Sequence, residues 1–77
     1  MAILPSLKGS EVIRALLNGG FFIHHQRGSH ARLLHKVRPE LRVTVPVHNK
    51  DLPEKTLRAI LKQADLTDEE FLKLLRG

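Results

Sequence analysis

The pair Gly19–Gly20 divides two incompatible hydrophobic patterns, and this change limits the possible folds more than any other feature of the sequence. Before the pair, the segment GSEVIRALLN carries apolar residues at helical spacing, namely Val12, Ile13, Leu16 and Leu17. This stripe predicts a helix from about Gly9 to Asn18, and the two glycines suit its C-terminal end. After the pair, FFIHHQ (21–26) opens with aromatic and β-branched residues, which favour a strand. The chain is therefore expected to pass directly from a helix into a sheet.

Two further segments have the composition of strands, HARLLHKV (30–37) and RVTVPV (42–47). Arg27 and Gly28 supply a turn between the first two strands, and a loop that contains Pro39 joins the second to the third. Pro46 has no N–H to donate, so the third strand should lie at a sheet edge or end at this residue. Together the three segments predict a three-stranded antiparallel meander.

The last third of the chain contains two helical patterns. Pro53 suits the first turn of the first helix, which should stop at Asp65. The apolar stripe of this helix consists of Leu57, Ile60, Leu61 and Ala64. TDEE (67–70) is a capping box that opens a short second helix, with Thr67 as the N-cap and Glu70 at N3. The predicted order is α-β-β-β-α-α, an α+β fold with helices on one face of the sheet, in a single domain over 1–77.

The charge is unevenly distributed along the chain. The formal net charge is +5, yet residues 1–50 carry eight Lys and Arg against two acidic residues, whereas residues 51–77 carry five against six. All five histidines lie between positions 24 and 48, and no acidic residue occurs from 12 to 39. A basic half of this kind is the usual footprint of a domain that binds a polyanion such as nucleic acid.

Composition excludes several classes of protein. The 77 residues include no cysteine, which rules out a disulfide framework and a thiolate metal site. No apolar run is long enough to cross a membrane. The start, MAILPSLKGS, lacks the pattern of a secretory signal. We expect a cytoplasmic protein with no membrane partner.

Strand periodicity predicts what the open face of the sheet carries. On the third strand, alternation separates the core-facing Val43, Val45 and Val47 from the outward Arg42, Thr44, Pro46 and His48. On the second strand, Ala31, Leu33 and His35 share one face, and His30 and Arg32 share the other. We predict that the outward side chains form one basic patch that bears imidazoles, with His30, Arg32, Arg42 and His48 as its members.

Three blocks of sequence carry a resemblance to a known family. QRGSH, then VTVPVH, then TLRAILKQADLTDEEF occur in an order and at separations that resemble the HicA toxin family. HicA proteins are the small RNA-cleaving half of HicA–HicB toxin–antitoxin pairs. The likeness extends from EVIRALLNGGF to EEFLKLL, and it implies a fold like that of the double-stranded-RNA-binding domain.

The resemblance also implies roles for particular residues. The catalytic histidine of the family, in its glycine–serine–histidine triplet, falls on His30. Gly28 and Ser29 match the two residues before it, and Arg27 stands where the family has a basic residue. A HicA-like protein is expected to cleave messenger RNA and to be silenced by a HicB-like antitoxin.

The chemistry of RNA cleavage gives an independent reason to expect these residue types. Without a metal, the 2′-hydroxyl attacks, so one group must take its proton and another must protonate the leaving 5′-oxygen. Histidine suits both tasks because its ordinary pKa is about 6.5. Arginine binds two phosphate oxygens at once. We therefore expect His30 as base or acid, Arg27 and Arg32 on the phosphate, and Ser29 as a positioning hydroxyl, and His48 is the nearest candidate for the second proton-transfer group.

No residue pattern predicts a metal or a small-molecule cofactor. Neighbouring positions on a strand point to opposite faces, so the side chains of His24 and His25 are expected to diverge. This divergence, and the lack of cysteine, argue against a zinc site built from the histidines. Glu11 and Glu40 are too few carboxylates in the first half for a magnesium mechanism. His35 is expected to be a hydrogen-bonded histidine on the core side.

Two other functional classes stay open at this point. A non-catalytic double-stranded-RNA-binding module has the same element order, and it would use Lys55, Arg58 and Lys62 on the helix surface. A protein-interaction domain would instead cover the open sheet face with a partner. A binder differs from an enzyme in that its activity would not depend on His30.

Overall fold

Helix α1 (Gly9–Asn18) begins the fold in the computed structural model, which describes residues 3–77. At its start, the Glu11 carboxylate accepts a hydrogen bond of 2.9 Å from the backbone N–H of Lys8. Gly20 follows the end of the helix with φ +95°, a conformation that favours glycine. The bounds predicted from the apolar stripe are confirmed.

The sheet has three antiparallel strands in the order β1 (Phe21–Arg27), β2 (His30–His35) and β3 (Arg42–Pro46). Gly28 and Ser29 form the two-residue turn between β1 and β2, and Gly28 has φ +57°. A Cβ at Gly28 would meet no atom within 4 Å, so the turn needs glycine for its backbone angle and not for space. The predicted meander, with β3 at an edge, is confirmed.

The strands end at residues slightly different from those predicted. β2 stops at His35 instead of 37, because the His35 Nδ1 accepts hydrogen bonds of 3.1 Å from the backbone N–H groups of Val37 and Arg38 and turns the chain. β3 stops at Pro46 instead of 47, although the N–H of Val47 still donates to the carbonyl of Ser29. β1 runs one residue further than predicted, to Arg27.

Helices α2 (Glu54–Ala64) and α3 (Asp68–Arg76) complete the chain. Pro53 is the N-cap of α2, and Asp65 ends that helix in the left-handed conformation with φ 57° and ψ 44°. Thr67 Oγ1 accepts from the N–H of Glu70 at 3.1 Å, and the Glu70 carboxylate accepts from the N–H of Thr67 at 2.8 Å. The predicted capping box is confirmed, and the α-β-β-β-α-α order is that of a double-stranded-RNA-binding-domain-like fold.

One core lies between the helices and one face of the sheet. The sheet contributes Phe21, Ala31, Leu33, Val43 and Val45, all of them buried. The helices contribute the side chains Val12, Leu16, Leu57, Ile60 and Phe71. Among the described residues, no helix covers the opposite face of the sheet, which we call the free face. Within residues 3–77, no helix combines the length and the hydropathy needed to span a bilayer.

His35 is a structural histidine, as predicted. Its ring is half-buried and meets the ring of Phe21 edge-on, with the centroids 4.8 Å apart. Because Nδ1 faces two N–H donors, the ring proton belongs on Nε2, which lies 3.0 Å from the carbonyl oxygen of Gly19. His35 thus joins the end of α1 to the end of β2.

Gly9 marks a close approach between the start of α1 and the end of β3. A Cβ at this position would collide with the carbonyl oxygen of Pro46, which is backbone and cannot turn aside. Pro46 is the cross-strand partner of His30, so this contact also fixes the strand end beside the hairpin turn.

The collision leads to a stability prediction. Gly9→Ala should lower the free energy of unfolding by about 1–3 kcal/mol, the usual cost of overpacking, in urea denaturation followed by circular dichroism. Ser10→Ala, at the next and exposed position, is the control and should stay within about 0.5 kcal/mol of wild type. Equal stability of Gly9→Ala and wild type would show that α1 does not press on β3.

Candidate active site on the free sheet face

The strand register arranges the free face into three cross-strand rows. Residues paired across antiparallel strands project to the same side. The rows are Arg27–His30–Pro46, His25–Arg32–Thr44 and Phe22–Leu34–Arg42. Imidazole and guanidinium groups from β1 and β2 therefore lie next to each other, on the side of the sheet away from the helices.

The hairpin turn places Arg27 directly opposite His30. Gly28 and Ser29 occupy the turn itself, and the Ser29 carbonyl accepts from the N–H of Val47. This hydrogen bond ties the turn to the chain just after β3. His30, the first residue of β2, therefore has an exposed side chain on a backbone that is paired with both neighbouring strands.

A β-bulge in β1 changes the direction of its two histidines. The register moves from Ile23 opposite Leu33 to His25 opposite Arg32, so His24 is an extra residue with no partner of its own. A bulge interrupts the period-two alternation of a strand. The expectation that His24 and His25 diverge to opposite faces is wrong for this reason, because each of them borders a cavity on the free face.

The first cavity, which we call the hairpin cavity, has a volume of about 400 Å³. Its lining consists of His25, Arg27, His30, Arg32 and Thr44. It therefore brings together two imidazoles, two guanidinium groups and one hydroxyl.

The second cavity, which we call the loop cavity, lies beside the first and has a volume of about 550 Å³. Its lining consists of His24, Arg32, Leu34, Pro39, Arg42 and Thr44, together with Leu33 and Val43 of the core-facing set. The two cavities share Arg32 and Thr44, so they adjoin each other on the free face.

The loop between β2 and β3 is tied to α2 beside this second cavity. Arg38 Nη1 lies 2.9 Å from Asp65 Oδ2, and Arg38 Nε lies 3.2 Å from Glu40 Oε2. The hydrogen bonds that the guanidinium group donates to Asp65 and then to Glu40 raise the pKa of Arg38. Arg38 and Glu40 stand on either side of Pro39, which borders the loop cavity.

The free face is electropositive and its cations are available for an anion. No acidic side chain borders either cavity, and within residues 3–77 no carboxylate pairs with Arg27, Arg32 or Arg42. Such a surface attracts phosphate groups and binds them without first breaking an internal ion pair.

The helix surface proposed for a non-catalytic RNA module differs in this respect. Arg58 Nε lies 3.0 Å from Glu54, and Arg58 Nη1 lies 3.2 Å from both oxygens of Asp68. The hydrogen bonds that the guanidinium group donates to Glu54 and then to Asp68 raise the pKa of Arg58. Of the three predicted contacts, Lys55 and Lys62 are exposed and form no ion pair within residues 3–77, whereas Arg58 is held by two carboxylates.

The predicted site residues fall into three groups. Arg27, His30 and Arg32 meet in the hairpin cavity, Gly28 and Ser29 shape the turn beside it, and Arg42 lies in the loop cavity. The third group is His48 alone. Because β3 ends at Pro46, His48 lies beyond the strand and borders neither cavity, and its Nδ1 accepts from the N–H of Lys50 at 3.3 Å. The structure gives the positions of these residues, and the catalytic and RNA-binding roles of all three groups stay predictions.

His25 lies in the hairpin cavity with His30, although the sequence pattern did not indicate it as a site residue. The consecutive histidines were visible, but nothing in their spacing indicated that the strand gains a residue between Ile23 and His25. In residues 3–77, no group of three or more His, Asp or Glu side chains is arranged to hold a metal ion.

Comparison with models of known protein families finds a match. The family model described as HicA toxin of bacterial toxin–antitoxin matches residues 9–66, a segment that runs from the first residue of α1 to just beyond α2 and includes the whole free face. No curated protein matches the chain. On this match, the chain belongs to the HicA toxin family of bacterial toxin–antitoxin systems.

Proposed function

We propose that this toxin is an endoribonuclease that cleaves messenger RNA in the cytoplasm, with the hairpin cavity as its active site. The observation that carries the proposal is the meeting of His25 and His30 with two free guanidinium groups in one cavity of a HicA-family protein. Two imidazoles and a phosphate-binding pair are the groups that cleavage by the 2′-hydroxyl requires.

The proposed reaction is a transfer of the phosphodiester within the RNA strand. The 2′-oxygen forms a bond to phosphorus while the bond from phosphorus to the 5′-oxygen breaks. One histidine takes the proton of the 2′-hydroxyl, and the other gives a proton to the leaving 5′-oxygen. The products are a 2′,3′-cyclic phosphate and a 5′-hydroxyl, so no water molecule is consumed in this step.

The positions of the two histidines suit this geometry. His25 is paired with Arg32, and His30 lies two residues before Arg32 on the same strand, so the histidines are diagonal neighbours. Diagonal neighbours are about 7–8 Å apart in a sheet. The attacking and leaving oxygens lie on opposite sides of phosphorus, so a phosphate between the two rings offers one oxygen to each imidazole.

Arg27 and Arg32 occupy the other diagonal of the same square. Their guanidinium groups are placed to bind the non-bridging phosphate oxygens, where charge grows in the transition state. Ser29, in the turn beside them, is proposed to position the RNA backbone together with the N–H groups of the turn. Because this turn needs glycine for its backbone angle, Gly28 contributes through the shape of the hairpin.

The antitoxin is proposed to be a HicB-like protein, in keeping with the family. The simplest means of inhibition is to cover the free face, since the cavities are open and no carboxylate within residues 3–77 pairs with their arginines. A partner that presents carboxylates to Arg27 and Arg32 would compete directly with the phosphates of RNA.

The first test of the proposed function concerns His30. His30→Ala should reduce kcat/KM for a labelled single-stranded RNA by about 10²–10⁴-fold in excess EDTA, the usual contribution of proton transfer. RNA affinity, measured by fluorescence anisotropy on a non-cleavable 2′-deoxy strand, should change by less than threefold. Gln26→Ala is the matched control, because Gln26 lies on the same hairpin but is paired with the core-side Ala31.

Three results would contradict this assignment. Equal cleavage by His30→Ala and wild type would remove His30 from the mechanism. Binding without cleavage by wild type would favour the non-catalytic RNA-binding module. Cleavage by wild type that EDTA abolishes would show that the reaction depends on a metal ion.

A second prediction tests whether His25 is the partner of His30. His25→Ala should also slow cleavage by at least about 100-fold. In a substrate whose leaving 5′-oxygen is replaced by sulfur, the thiolate departs without being protonated. One of the two histidine variants, the one that lacks the proton donor, should then regain most of the wild-type rate, and the other should not. If both variants or neither regained the wild-type rate on this substrate, His25 and His30 would not be the two proton-transfer groups.

A further inference from the structure

We propose that the loop cavity is a nucleotide subsite that holds the base next to the scissile phosphate. The inference rests on the proposed function, since it takes the hairpin cavity as the place where the phosphate binds. It adds a second contact to the substrate, and this contact would give the enzyme a dependence on the base at one position.

The first reason is that the two cavities adjoin each other. Arg32 and Thr44 border both of them, so a phosphate held at Arg32 lies on their common boundary. Adjacent rows of the free face are two residues apart along β2 and β3, or about 7 Å. That distance corresponds to roughly one nucleotide of an extended RNA strand, so the neighbouring nucleoside falls in the loop cavity.

The second reason is the composition of the loop cavity. Leu34 and Pro39 provide an apolar surface for the face of a base. His24 and Arg42 provide planar groups, and bases of single-stranded RNA stack on imidazole and guanidinium planes. Since no acidic side chain borders the cavity, nothing in it repels the phosphate that a nucleotide brings.

The third reason is the bulge in β1. Without the extra residue, a regular strand would direct His24 and His25 to opposite faces. With it, His25 borders the hairpin cavity and His24 borders the loop cavity. One local irregularity thus supplies an imidazole to each of two neighbouring sites, one for proton transfer and one for stacking.

The test measures the contribution of single bases with short RNA strands that bind but are not cut. The strand carries a 2′-deoxynucleotide at the scissile position, and the base is removed from the nucleotide on one side of that phosphate or on the other. For wild type, removal of the base on one side should weaken binding roughly tenfold, in line with loss of one stacked base, and removal on the other side should have a smaller effect.

The variants identify where that base is bound. His24→Ala should bind the intact strand roughly tenfold more weakly, and removal of the base should then cause little further loss. His24→Phe should restore the penalty for base removal, because a phenyl ring also stacks on bases. Arg14→Ala is the control, since Arg14 is an exposed cation on α1, and it should keep the full penalty.

Several results would overturn the subsite. One is an equal affinity of wild type for intact and base-free strands, and another is a full penalty for base removal in His24→Ala. A third is wild-type RNA binding by His24→Ala together with lost binding of the antitoxin, which would make the cavity a protein contact. Because the readout is binding, failure of the protein to cut any RNA would count against the proposed function alone.

Discussion

Burial of alternate residues on β2 and β3 is the constraint on which the rest of the structure depends. Ala31, Leu33, Val43 and Val45 lie against the helices and are almost wholly removed from water. A slip of one residue would expose this whole set, so packing fixes the register. The intervening positions must then face water, and one of them is His30. Burial of the core-facing residues thus determines which side chains lie on the free face.

Among the three described strands, the alternation of buried and exposed residues breaks at the bulge in β1, which lies beside the two cavities. β1 buries little beyond Phe21, so the core does not oppose an extra residue further along the strand. Because the core does not fix this part of β1, His24 and His25 can both border cavities on the free face. Bulges are common beside active sites because they redirect a side chain without altering the fold.

Much of the fold could be predicted because its signals are local. The stripe and glycines of α1, the turn at Gly28 and the capping box at Thr67 each depend on a few neighbouring residues, and all are confirmed. The end of β2 depends on hydrogen bonds to the ring of His35, which no spacing reveals. The place of His25 in the cavity depends on pairing across strands, whereas His30 could be found because it belongs to a motif.

The central claim is that paired imidazoles on the free face cleave RNA through its own 2′-hydroxyl. The most direct measurement is the chemical nature of the ends left by wild-type protein on a defined RNA, determined by mass spectrometry. The account predicts a 2′,3′-cyclic phosphate and a 5′-hydroxyl, and no cut at a position that carries a 2′-deoxynucleotide. A 3′-hydroxyl with a 5′-phosphate would contradict it, since water and not the 2′-oxygen would then be the nucleophile.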